Sequence, residues 1–216
     1  MDKNDIIDFF KDLVFIVVVV LLIKTFIAMP FQINGQSMYS SYYDKEFIIV
    51  DRLSYRFSEP SRGDVIVFKP YVSDEKKYFL KRIIAVPGDN LKIENGNVFL
   101  KKSGEAEYVQ LDEKYLNDEN KGYTFIGGSK AMHQYVLGED QYFVMGDNRN
   151  HSTDSRECFS SCAIEGKDNF INYDDITGKL FLDLGYFNFK SFSFMQPNLG
   201  IDTEPRFFDS PSSFEY

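Results

Sequence analysis

The chain begins with apolar positions packed end to end and then changes to short, broken runs. Leu13 to Ile23 reads LVFIVVVVLLI without a polar residue. Eleven residues fall short of the ~20 that span a bilayer as a helix. Adding Phe9, Phe10 and the stretch from Thr25 to Met29 supplies the length and encloses Lys11, Asp12 and Lys24. Those charges lie near the ends, where long side chains reach the headgroups. The pattern predicts an uncleaved N-terminal transmembrane helix over residues 1–29. A cleaved secretory signal needs an A-x-A-like site, which Ala28-Met29-Pro30 does not supply. A buried element of a soluble core is the plain alternative, but a small domain has little room to hide so many consecutive bulky side chains. Lys3 and Lys11 stand against Asp2, Asp5, Asp8 and Asp12, so flanking charge gives no clear orientation.

Past Pro30 the pattern is β-like. Phe47-Ile48-Ile49-Val50 and Val65-Ile66-Val67-Phe68 are short apolar runs bounded by charges and turn formers. Tyr78 to Val86 (YFLKRIIAV) is a third strand, stopped by Pro87-Gly88-Asp89. Asn95-Gly96, a favoured pair for a two-residue type I′ turn, folds Leu91 to Leu100 into a hairpin. Tyr142 to Met145 and Ile176 to Leu182 are further strands. The polar residues 101–140, with the run LDEKYLNDENK, predict an inserted, smaller β subdomain. From Ser191 the chain carries Pro197, Pro205 and Pro211 without a period, which predicts a loop-like tail over 191–216. The expected fold is mainly β: an anchor, a partly closed sheet core from 30–100 and 141–190, and the insert.

A formal net charge of -9 argues against nucleic acid as a partner. A mean hydropathy of -0.29 excludes a polytopic membrane protein. Cys158 and Cys162 have no nearby histidine or second cysteine pair, so they make a weak metal site. They form either a local disulfide, if the domain lies outside the cytoplasm, or two packed thiols.

The candidate chemistry rests on a serine and a lysine. Ser37 sits in the turn-like Asn34-Gly35-Gln36-Ser37-Met38, where serines are usually structural. A serine hydroxyl becomes a nucleophile only when a base takes its proton. Strand alternation places Lys81 with Phe79, Ile83 and Ala85, and Arg82 with Leu80, Ile84 and Val86. A lysine in apolar surroundings loses basicity; moving it from ~10.4 to ~7 takes about 4–5 kcal/mol of desolvation. The plainer reading is an edge-strand lysine with its head in water. Arg62-Gly63-Asp64 runs straight into a strand, which favours a tight turn over an adhesion tripeptide. Gly146-Asp147-Asn148-Arg149, then Ser152, Asp154, Ser155 and Arg156, form a polar loop dense enough for a network. His151 is a rival base in that loop, while His133 lies in the insert and reads as a surface residue.

Taken in order, these blocks resemble the bacterial type I signal peptidases. The similarity runs through the anchor, Ser37-Met38, R-G-D-V-I-V-F from Arg62, K-R-I-I-A-V-P-G-D from Lys81, and G-D-N-R from Gly146 followed by S-x-D-S-R. Ile176-Thr177-Gly178-Lys179 also resembles the family's closing strand. The resemblance implies a Ser37 nucleophile and a Lys81 general base, with Ser152 hydrogen-bonded to the lysine amine. It implies that Asp154 and Arg156 pair, with Arg82 in the same network, that Asp147, Asn148 and Arg149 shape the turn beside the site, and that Met38 lines the substrate cleft. The oxyanion would meet the Ser37 backbone N–H. Many members carry a serine two positions before the nucleophile as a second donor; Gly35 stands there, so a backbone or water donor must substitute.

Further departures are Tyr39-Ser40-Ser41 in place of x-Pro-Thr, Asn150-His151 after G-D-N-R, and Glu157-Cys158-Phe159 after D-S-R. The activity implied is a membrane-anchored serine endopeptidase that removes signal peptides from exported precursors after small-x-small motifs, through an acyl-enzyme. Its partners would be those precursors and the lipid bilayer, with the domain on the extracytoplasmic side of the cell (inner) membrane and no metal or other cofactor. The rival expectations are a catalytically weak or specialised paralogue, motivated by Gly35 and the missing proline, and a non-enzymatic anchored surface-binding protein.

Overall fold

A computed structural model describes residues 3–70, 78–160, 166, 168–188 and 193–195. Helix α1 (Lys3–Phe26) holds the apolar run, with Asp5 in its first turn and Lys24 in its last, each complementing the helix dipole. Its large apolar side chains are exposed along its length. Among the described residues no helix is long and apolar enough to cross a membrane. The expected N-terminal helix is therefore present while its crossing of a membrane is not shown, and the reason lies in the sequence. Lys11, Asp12 and Lys24 fall inside the helix and cut its uninterrupted apolar stretch to Leu13–Ile23.

The fold is mainly β, as expected, and the strand pairs of the main sheet are antiparallel. That sheet contains β1 (Ala28–Gln32), β2 (Phe47–Asp51), β3 (Val65–Phe68), β4 (Phe79–Ala85), β9 (Gln141–Met145), β10 (Ile171–Asn172), β11 (Ile176–Asn188) and β12 (Ser193–Met195). Their order is β1-β2-β11-β3-β4-β9-β10, with β12 on β11. β11 outruns the predicted Ile176–Leu182 because it serves two neighbours, pairing with β3 at its start and β2 beyond. Register shifts at three points along it bend the strand, and bulges of this kind curl a sheet.

Burial follows position in the sheet. β3 lies between β11 and β4 and is buried at every residue, whereas β2 alternates. β4, between β3 and β9, is fully buried from Lys81 to Ala85. Lys81 therefore belongs to an interior strand, and the edge-strand reading fails. Alternation holds to Ile83; a register shift before Ala85 then sends Ile84 and Ala85 into one cluster with Phe143 and Met145.

A smaller sheet has the order β7-β6-β5-β8, from β5 (Asn90–Glu94), β6 (Asn97–Lys101), β7 (Val109–Gln110) and β8 (His133–Val136). Its centre is the predicted hairpin, with Asn95 and Gly96 both at positive φ. The insert adds its short strands to the two sides of that hairpin. Apart from Ser193–Met195, the tail beyond Asn188 lies outside the described residues.

Candidate active site

Ser37 follows β1 in a tight turn closed by Tyr39 N–H to Gln36 O at 3.1 Å and Ser41 N–H to Met38 O at 2.8 Å. Asn148 fixes this turn from the opposite loop. Its backbone N–H donates to Ser37 O and its Nδ2 to Gln36 O, both at 3.0 Å. Met38 is 1% exposed and packs in the cluster of Ile48, Val50, Val65 and Val67. The nucleophile candidate is thus held by a buried neighbour and two clamped carbonyls.

Lys81 Nζ lies 2.7 Å from Ser37 Oγ and 3.0 Å from Leu80 O, and the residue is 3% exposed. The Phe79 ring stands 5.3 Å from the amine. Phe159, on the loop after Asp154, packs on Phe79 and Phe68. Burial pushes the amine down to about 8; Asp154 and Asp147 oppose that shift, and Arg156 assists it. At pH 7 such an amine is neutral about one time in ten, against about one in 3,000 for an ordinary lysine. Sequence alternation pointed to this burial, and the partner comes from the curl that brings the β1 turn over β4.

Two buried ion pairs frame the amine. Arg82 meets Asp147 through two bonds of 2.9 and 2.6 Å and donates to Gly63 O. Arg156 meets Asp154 through two bonds of 2.9 Å. Burial would raise the Asp154 carboxyl, but Arg156, Gly146 N–H and Ser152 together hold it below the usual carboxylate range. Arg82 is therefore paired with Asp147, apart from the Asp154–Arg156 pair.

Two expectations are corrected. Ser152 Oγ is buried and makes no hydrogen bond of normal geometry, so it does not bond to Lys81. It stands near enough to Asp154 to help hold that carboxylate low. The Gly35 N–H is not available for an oxyanion, because it donates to Asp44 Oδ1 at 2.7 Å. That bond holds Gly35 at φ +107, a conformation L-residues rarely adopt. His151 is exposed at the rim of the cleft, and Ser37 bonds to Lys81.

Glu113 and Tyr115 were not singled out from the sequence, and Gly146 was named there without a role of its own. A Cβ on Gly146 would collide with Ser37 O and Ser152 Oγ, so only glycine lets these loops meet. Glu113 and Tyr115, from the insert, close the back of the site. Arg149 Nη2 donates to Glu113 Oε1 at 2.5 Å and to Tyr115 Oη at 2.8 Å, while Arg149 Nη1 reaches Thr124. The Tyr115 ring lies 4.1 Å from the Arg82 guanidinium. The run LDEKYLNDENK thus supplies one counter-ion and one aromatic ring to the core; the available signal was Arg149, a cation needing a partner.

Ser37 and Lys81 line a cleft of about 650 Å³ with Phe31, Ile33, Tyr78 and Leu80. Cys158 is disulfide-bonded; the chain's other cysteine, Cys162, lies outside the described residues. Among the described residues no cluster of histidine, cysteine or acid groups could hold a metal.

A serine hydroxyl beside a buried amine, at the floor of an apolar cleft in a curled sheet, defines a serine peptidase class of site. The family model described as signal peptidase, peptidase S26, matches residues 6–184. A signal peptidase I P of Bacillus subtilis subsp. natto is 32% identical over 155 residues, covering 71% of this chain and 80% of its own. A signal peptidase I S of Bacillus subtilis (strain 168) is 30% identical over 177 residues, covering 79% and 91%. A crystallised signal peptidase I from Enterococcus faecalis V583 aligns with 57% of this chain and 97% of its own at 24% identity and a TM-score of 0.38. The chain belongs to the signal peptidase S26 family and is a serine peptidase.

Proposed function

We propose that this protein is a membrane-anchored endopeptidase that removes signal peptides from exported precursors after small-x-small motifs, using a Ser37/Lys81 dyad. The observation that carries the reading is the 2.7 Å contact between the Lys81 amine and the Ser37 hydroxyl, with the lysine 3% exposed. Neutral Lys81 takes the Ser37 proton, and Oγ attacks the scissile carbonyl carbon. The Ser37 N–H meets the oxyanion. The C–N bond then breaks, the new amine leaves with the proton from Lys81, and an ester remains on Ser37. Lys81 next deprotonates a water that hydrolyses the ester, and the proton returns to Oγ.

Geometry also favours an extended substrate. β1 is an edge strand that runs into the Ser37 turn, so a precursor segment can add beside it and place alternate side chains in the cleft. Asp154–Arg156 and Arg82–Asp147 hold the loops.

The bilayer reading of α1 rests on length and exposure. Its 24 residues run about 36 Å at 1.5 Å per residue, against a hydrocarbon core of about 30 Å. The exposed apolar side chains, such as Phe15 at 67% and Val14 at 61%, need cover. Lys11 and Lys24 reach the headgroups along their apolar stems. The domain then lies on the extracytoplasmic face of the cell membrane, where precursors emerge.

The weak-paralogue reading keeps one specific support, the Gly35 N–H committed to Asp44. One experiment separates the readings. The purified full chain is given a precursor with an A-x-A site, alongside folded Ser37→Ala and Lys81→Ala variants. Cleavage by the parent and loss in both variants supports the dyad. Full activity in Lys81→Ala removes it, and a folded parent that cleaves no precursor favours the paralogue.

A further inference from the structure

Lys81 rises from a face of β3 and β4 that is otherwise apolar. Ile66 stands opposite Lys81 and Phe68 opposite Phe79 across the two strands, and Ile83 follows on the same face. Ile66, Phe68 and Ile83 share one buried cluster, with Phe79 packed against it. Phe159 reaches the same cluster from the loop after Asp154. Its ring centre lies 5.6 Å from that of Phe68 and 6.3 Å from that of Phe79, both edge-on, and the residue is 4% exposed. Phe159 thus backs the ring that stands beside the Lys81 amine.

The segment that delivers Phe159 is held in a shape it would not keep alone. Cys158, Phe159 and Ser160 stand at φ +46, +53 and +66. L-residues seldom occupy this left-handed region, because Cβ crowds the following carbonyl oxygen, and those that do so occur singly. Covalent and hydrogen bonds hold the run. Cys158 is disulfide-bonded. The Phe159 N–H donates to Asp154 O at 3.0 Å. The Ser155 hydroxyl accepts Val144 N–H at 3.0 Å, which fixes the start of the segment on β9. Backbone this disfavoured persists where its surroundings over-determine it, and such places cluster at working sites.

We propose that Phe159 is a positioning residue for the Ser37/Lys81 dyad, a role that rests on the dyad reading: with Cys158 held by its disulfide, the Phe159 ring presses Phe79 against the Lys81 amine and keeps water out of the space between them. A lysine is a usable base only while water is kept from its charged form. A ring excludes water only while it is packed from behind. Without Phe159, Phe79 loses its backing, water reaches the amine, and the fraction of neutral base at pH 7 falls. The charged groups that act on the amine, Asp154, Asp147 and Arg156, and the exposed His151 at the cleft rim are unchanged by removal of the ring.

The test is the pH dependence of kcat/KM on a precursor with an A-x-A site, for the full chain and its Phe159→Ala, Phe159→Leu and Cys158→Ser variants. F159A should move the rising limb up by about one pH unit from the parent's midpoint near 8, with kcat/KM about tenfold lower at pH 7 and near-parental above about pH 10. F159L keeps apolar bulk behind Phe79 and should bring the midpoint most of the way back. C158S should move it in the same direction as F159A. A purely structural role lowers activity by one factor at every pH and leaves the midpoint in place; that result overturns the assignment. If F159A does not fold, C158S and the parent reduced with dithiothreitol carry the same test, and an unmoved midpoint again overturns it. A shift in F159A with none in C158S removes the disulfide from the role and keeps the ring. Lys81→Ala, run alongside, separates the two readings: full activity there sinks the dyad itself, whereas loss there with an unmoved midpoint in F159A sinks only the part given to Phe159.

Discussion

Arg82 and Asp147 form a two-pronged ion pair in which neither side chain is more than 1% exposed. The pair ties strand β4, which carries Lys81, to the loop whose Asn148 clamps the Ser37 turn. Position of the amine and position of the hydroxyl are thus set by one buried contact. Asp147→Asn leaves the Arg82 charge unpaired, and the domain should lose about 3–5 kcal/mol in denaturant unfolding. Asp147 also holds the Lys81 value up, so the apparent pKa of kcat/KM in any folded fraction should drop below that of the parent.

Gly146 tests the meeting of the two loops. Gly146→Ala forces Ser37 O and Ser152 Oγ away from the new methyl group. Small misplacements of reacting groups cost about 100-fold in rate. The expected result is a loss of that order in kcat/KM in protein whose circular dichroism spectrum is unchanged; parental activity would show that the contact is not needed for placement.

The insert should behave as part of the core. Glu113→Gln strips Arg149 of its counter-ion in a site where Arg149 is 3% exposed, with an expected loss of about 3 kcal/mol in unfolding free energy. Tyr115→Phe keeps the ring on Arg82 and removes the hydroxyl bonded to Arg149 and Glu113, with an expected loss of about 1 kcal/mol. Thermal melts of the two variants check the ranking. Equal melts to the parent would make the insert an appendage.

The strands around Ile48, Ile66, Ile83 and Val144 were legible because each is a short apolar run between turn formers. Asn95-Gly96 was legible because few pairs accept two positive φ values. The motif blocks located Ser37 and Lys81, but only the curl of β11, made by bulges with no period of their own, brings them together. Glu113 and Tyr115 were hidden because a charged run on a polar insert has the composition of a solvated loop. The state of Ser152 was hidden because a hydroxyl's partner depends on a rotation of the loop and not on residue type.

Burying Lys81 has a stability cost that depends on pH. Its folded value of about 8 lies below the ordinary 10.5, so the unfolded chain holds more protons between those values. Stability therefore rises with pH across that window, and below it the cost of burial stands at about 3 kcal/mol. Lys81→Met should raise the melting temperature at pH 7, and the gain should shrink as pH climbs toward 10.5. A gain that stays constant over that range would mean the amine is not desolvated.

The most direct test of the central claim is the pH dependence of kcat/KM for the full chain on a precursor with an A-x-A site. A rising limb with an apparent pKa near 8 is expected, the value to which burial brings Lys81. A midpoint near the 10.5 of an ordinary lysine, or one near ~6.5 that vanishes in His151→Ala, would contradict it.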